Sequence, residues 1–198
     1  MSVQGVLLAA GFSSRMGCNK LILELNGRTV LERCLDSMSR VCSRIFVVGG
    51  HRARELEPLI KHYPQSQLIL NQAYSEGMFS SVLCGIKQVY EDRFFLCPAD
   101  YPLIPQETYQ QLLQVDGEII IPTFNGRRGH PVLMESRVIS DILNGNYASL
   151  KHFISLRDPK YAEVSDPGIL IDIDTREAYE NIKSILSHQN GGKEVNYD

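Results

Sequence analysis

The sequence predicts an α/β protein with three layers, helix on sheet on helix, around a mostly parallel central sheet. Three observations carry that expectation. Short β-branched or Leu-rich runs alternate with segments of helical spacing, strand then helix, four times over. The apolar runs lack strict polar alternation, as expected of strands covered on both faces. At 198 residues the chain has the length of one domain, able to bury roughly 70% of its unfolded surface.

The strand segments in order are residues 3–8, 44–48, 67–70, 94–97 and 118–121, followed by 131–134 and 168–172. Val30, Leu31, Cys34, Leu35 and Met38 share one helical face, and Met78, Val82, Ile86 and Val89 share another. Such alternation implies right-handed crossovers between parallel strands. The pattern loses regularity between Ser136 and Val164, where helical pieces at 138–143 and 149–156 read as an inserted subregion. A last helix is expected from about Arg176 to Leu186. One domain over 1–187 is thus expected, with a polar, Gly-rich tail at 188–198.

Composition excludes several classes. The 20 Lys plus Arg stand against 23 Asp plus Glu, a net charge of −3, so no broad basic surface exists for nucleic acid. Any anion must be held by a local site. The apolar start is interrupted by Gly11, Ser13, Ser14 and Arg15, too soon for a signal peptide or a membrane span. Five cysteines without a CxxC pair suggest neither a disulfide framework nor a zinc site, and the chain reads as cytoplasmic with reduced thiols. Most of these cysteines read as small core residues, with Cys18 the most accessible.

In open α/β sheets ligands bind beyond the carboxyl ends of the strands. The loop after the first strand, from Leu7 and Leu8 through Ala9, Ala10, Gly11, Ser13, Arg15 and Gly17 to Lys20, suits a phosphate. Small residues let the backbone approach closely, while Arg15 and Lys20 supply charge for its oxygens. The spacing is neither GxxxxGK[ST] nor GxGxxG, which disfavours a P-loop or dinucleotide-binding site. The bland alternative is a surface turn. This stretch resembles the LAAGxSxRMGxxK motif of MobA-like nucleotidyltransferases, and within them most resembles the molybdenum cofactor cytidylyltransferases. That resemblance implies a Rossmann-like nucleotidyltransferase fold and spans about Val3 to Tyr179.

Four later segments match in order. Asp100 closes a strand between Pro98 and Pro102, where a carboxylate suits Mg²⁺ and a turn-forming Asp is the alternative. The family's DxP motif assigns Asp100 to the metal, although Tyr101 stands where many cytidylyltransferases have Gln. Asp172 and Asp174 fall on one face of an extended segment, and Asp174 is also placed to cap the last helix. Similarity to DIDTxEDY favours Asp174 as the second metal ligand. Asn71, Gly77, Ser80, Ser81 and Gly85 resemble a segment beside base and ribose, making Asn71 and Ser81 candidate nucleotide contacts, with capping as the alternative. Arg127, Arg128, Gly129, His130 and Pro131 resemble the RGHPV element beside the acceptor pocket. Arg128 would clamp a phosphate. His130 before proline is as readily structural.

The resemblance implies Mg²⁺-dependent transfer of CMP from CTP, or a nucleotidyl group from another NTP, to the phosphate of a molybdopterin-type acceptor. Leu8, Ala9, Ala10, Gly11, Ser13, Arg15, Lys20, Asn71 and Ser81 would contact the nucleotide, with Lys20, Arg15 and Asp100 catalytic, and Arg128 and His130 toward the acceptor. A molybdenum hydroxylase or its maturation factor is an implied partner. Two alternatives stay open: a guanylyltransferase or another small-phosphate nucleotidyltransferase, and a non-catalytic carrier of the cofactor.

Overall fold

A computed structural model describes residues 2–11 and 17–190, with side chains through Ser187. The elements in chain order are β1 (Val3–Ala9), β2 (Glu24–Leu25), β3 (Arg28–Thr29), α1 (Val30–Met38), β4 (Arg44–Gly49), α2 (Glu57–Ile60), β5 (Ser66–Leu70) and α3 (Met78–Ile86). There follow β6 (Arg93–Pro98), α4 (Gln106–Leu113), β7 (Ile119–Phe124), β8 (Arg127–Arg128), β9 (Val132–Glu135), α5 (Val138–Asn144), α6 (Leu150–Ser155), β10 (Lys160–Glu163) and α7 (Arg176–Asn190).

The main sheet has the order β10-β7-β9-β6-β1-β4-β5, with β8 paired to β7. Strands β6, β1, β4 and β5 run parallel, and β10 runs parallel to β7. Strand β9 runs antiparallel to both β6 and β7. The expected layers are present. Alternate residues of the strands face two separate cores, one under α1, α2, α4 and α7, the other under α3, α5 and α6. Helix α1 starts where Thr29 caps it, its side chain accepting from Glu32 N while Glu32 answers to Thr29 N, and it buries the five residues expected from spacing.

Three expectations are corrected. Residues 168–172 are not a strand. Pro167–Leu170 form a 3₁₀ turn, started by Pro167 and capped by the Asp166 side chain on Gly168 N at 2.8 Å. The stretch after Ser136 is no separate subregion: α5 and α6 complete the second core, and β10 extends the sheet. Uniformly right-handed crossovers also fail. Helices α1 and α4 lie on the same face, yet their connections step in opposite directions along the sheet and so have opposite hands. The α4 connection is the exception, passing over the antiparallel β9 to reach β7. The final helix continues to Asn190, past the expected end, and residues 191–198 of the expected tail lie outside the described residues. Among the described residues no helix is long and apolar enough to cross a membrane.

Candidate active site

Strands β1 and β6 are parallel neighbours, so the segments leaving their carboxyl ends emerge side by side. Leu8, Ala9, Ala10 and Gly11 leave β1, while Pro98, Ala99 and Asp100 leave β6, and Ala99 N donates to Leu8 O at 2.9 Å. The thiol of Cys34 on α1 lies 3.3 Å from Ala99 O and 3.4 Å from Tyr101 O, holding the backbone on both sides of Asp100. Burial first, then Asp100, pushes the Cys34 pKa up, so the thiol keeps the proton it donates. One backbone bond joins the distant carboxylates: Ile173 N donates to Asp100 O at 2.9 Å, bringing Asp172 and Asp174 to Asp100.

Lys20 completes the arrangement. Asn19 begins a 3₁₀ turn at Lys20–Ile22 by accepting from Leu21 N, and its amide donates to Glu55 Oε2 at 3.0 Å. Leu21 is anchored in the core. The Lys20 ammonium then donates to Asp100 Oδ2 at 2.6 Å and Asp174 Oδ1 at 2.8 Å. Burial opposes its charge, but the two carboxylates outweigh burial and raise its pKa. Asp100, Asp172 and Asp174 each offer an oxygen within 4.8 Å of the others. Burial first, then Asp174 and Asp100, pushes the Asp172 pKa up. Asp100 Oδ1 is buried without a hydrogen-bond partner, a costly state for a carboxylate oxygen that a divalent cation would relieve. The donor set is all oxygen, as Mg²⁺ prefers.

These groups border a cavity of about 370 Å³. Leu8, Ala9, Ala10, Gly11, Lys20, Ser81, Asp100 and Asp174 line it, joined by Tyr74, Gly77 and Met78, which residue-type reasoning did not assign to a ligand. Asn71 stands behind that wall. Its amide nitrogen donates to Ser80 Oγ at 2.9 Å and Ser81 Oγ at 3.0 Å, and its oxygen accepts from Ala73 N at 3.0 Å. Asn71 therefore positions Ser81 and is not itself in the lining. Ser13 and Arg15 lie outside the described residues.

The acceptor-side candidates separate. Arg128 lies with its guanidinium 4.5 Å from the centre of the Tyr161 ring, on a strand paired to β7, three positions from β1 in the sheet. His130 is partly buried, edge-on against Tyr101 with ring centres 4.8 Å apart, and desolvation lowers its pKa to about 4 against the opposing charge of Asp100. Neither lines the cavity. Asp172 is a third member of the acid cluster beyond the two expected. Its signal was the spacing to Asp174, which in extended backbone turns two side chains the same way.

Fold and site together define the class, a nucleotidyltransferase. The chain belongs to the MobA-like NTP transferase family, whose domain matches residues 5–167. It is 29% identical over 181 residues to the molybdenum cofactor cytidylyltransferase of Escherichia coli (strain K12), covering 90% of this chain and 94% of that one. It is 25% identical over 197 residues to a probable molybdenum cofactor guanylyltransferase of Bacillus cereus (strain ATCC 10987 / NRS 248), covering 93% and 98%. A nucleotidyl transferase from Methanothermobacter thermautotroptrophicus shares the fold with a TM-score of 0.83 at 24% identity, over 96% of this chain and 99% of that one.

Proposed function

We propose that the protein transfers CMP from CTP to the phosphate of a molybdopterin-type acceptor, releasing pyrophosphate, with Mg²⁺ held by Asp100 and Asp174. The observation that carries this reading is Lys20, bridging those two carboxylates in the wall of a cavity bordered by the backbone leaving β1. An acceptor phosphate oxygen attacks the α-phosphorus of the nucleotide in line as the bond to pyrophosphate breaks. The acceptor is already an anion, so no general base is required, and positioning with charge neutralisation supplies most of the acceleration. Lys20, kept charged by its carboxylates, neutralises oxygens of the α-phosphoryl and leaving groups. Ala9, Ala10 and Gly11 allow close approach of the phosphates, Ser81 contacts the nucleoside, and the motif assigns Ser13 and Arg15 to the triphosphate. Mg²⁺, when bound, neutralises phosphate charge and orients the reacting oxygens. Arg128 is the proposed clamp on the acceptor phosphate.

Cytidine is supported by the LAAG form of the first motif and by the cytidylyltransferase relative. The guanylyltransferase relatives favour GTP instead. Pyrophosphate release measured with molybdopterin and CTP, GTP or ATP separates these: CTP is expected to be preferred, and preferential use of GTP overturns the base assignment. Tight binding of cofactor and nucleotide without turnover would identify a carrier instead. In the same assay, Lys20→Ala and Asp100→Asn should each lower kcat by about 100-fold while the proteins remain folded. Near-normal turnover in either would overturn their roles.

A further inference from the structure

Building on the nucleotide site proposed above, we infer that Lys20 is the resident counterion of the acid cluster, so that the divalent cation enters as its nucleotide complex rather than ahead of the nucleotide. The ammonium of Lys20 is bonded to Asp100 Oδ2 and Asp174 Oδ1, oxygens of two of the three clustered carboxylates. A dication using those oxygens meets a like charge on the same ligands and displaces two charge-assisted hydrogen bonds. The backbone of Lys20 does not yield readily, because Asn19 is tied to Glu55 and Leu21 is in the core. The flexible four-carbon stem can pivot, and Lys20 already lines the cavity. Phosphate oxygens arriving there accept the ammonium and release the carboxylates. Nucleotide and metal thus favour each other through one side chain, as linkage requires.

Electron paramagnetic resonance titration of the full chain with Mn²⁺, with and without a non-hydrolysable CTP analogue, tests this without turnover. In the wild type the analogue should tighten Mn²⁺ binding by about tenfold or more. Lys20→Met should bind Mn²⁺ alone about tenfold more tightly than the wild type and gain less from the analogue. Lys20→Gln repeats the measurement, with thermal unfolding to confirm that each variant is folded. Variants that bind Mn²⁺ alone no more tightly than the wild type overturn the inference, as does wild-type binding indifferent to nucleotide. Coupling by a GTP analogue instead of the CTP analogue supports the inference and overturns only the choice of base. Coupling without any pyrophosphate release in the turnover assay supports it and overturns the proposed catalysis.

Discussion

At His130, enclosure and chemistry pull in different directions. Nδ1 is buried with no hydrogen-bond partner, and the pKa falls from 6.5 to about 4 despite the nearby charge of Asp100. The unfolded chain takes up a proton near pH 6.5, whereas the folded chain resists until about pH 4. Between those values the unfolded state binds more protons, so stability from this group is full above pH 6.5 and is lost as pH falls toward 4. Thermal unfolding at pH 7.5 and 4.5 should therefore show a smaller drop for His130→Asn than for the wild type. An equal drop would mean that the imidazole titrates normally. The motif located His130 but not its burial, which depends on Tyr101 closing over it. Lys20, Asp100 and Asp174 were singled out by the motifs they match, and the structure brings the three together. Asp172 was visible only as a neighbour of Asp174, since the Ile173 bond that draws both toward Asp100 is a tertiary contact.

Helix α3 packs closely on the sheet at Gly85. A Cβ at Gly85 would lie 2.4 Å from Val6 Cγ1 and 2.8 Å from Val48 Cγ2, both on fully buried residues of neighbouring strands. The Gly85→Ala substitution gains about 1 kcal/mol of helix propensity. Overpacking against two β-branched residues costs about 1–3 kcal/mol and should win. Urea unfolding should show a net loss of stability, with a higher KM for nucleotide because α3 carries Ser81; equal or greater stability would show that the helix shifts freely. Gly85 matched the motif segment beside the nucleotide, but the structure makes it a packing position. Asn-Gly pairs make two hairpin turns that the strand assignment from sequence passed over: Asn26-Gly27 joins β2 to β3 and Asn125-Gly126 joins β7 to β8, all four residues at positive φ. Strand β10 escaped notice because Lys160–Glu163 is a largely exposed edge, without the apolar run of the buried strands.

Across the whole molecule, burial divides the thiols, the three buried ones all lying in the core under α1, α2, α4 and α7. Cys34, Cys42 and Cys97 are buried, and burial pushes Cys42 up to about 12, while Cys18 and Cys84 are partly exposed. A chromogenic disulfide reagent should therefore label two thiols rapidly in the native protein and all five after denaturation. Rapid labelling of three or more would mean that a core opens. Cys84 joins Cys18 as partly exposed, lying on α3 at the margin of the second core. Residue types and local spacing by themselves determined the layered α/β class, most strand positions and the helix faces, because these follow from periodicity, while the motif resemblance singled out the candidate phosphate and metal residues. Tertiary structure alone decided the reversed β9, the opposite hand of the α4 connection, the third carboxylate and the bridging place of Lys20. Those depend on strand order and on contacts between residues 80 and 154 positions apart, where no local preference acts and only the assembled fold brings the groups together.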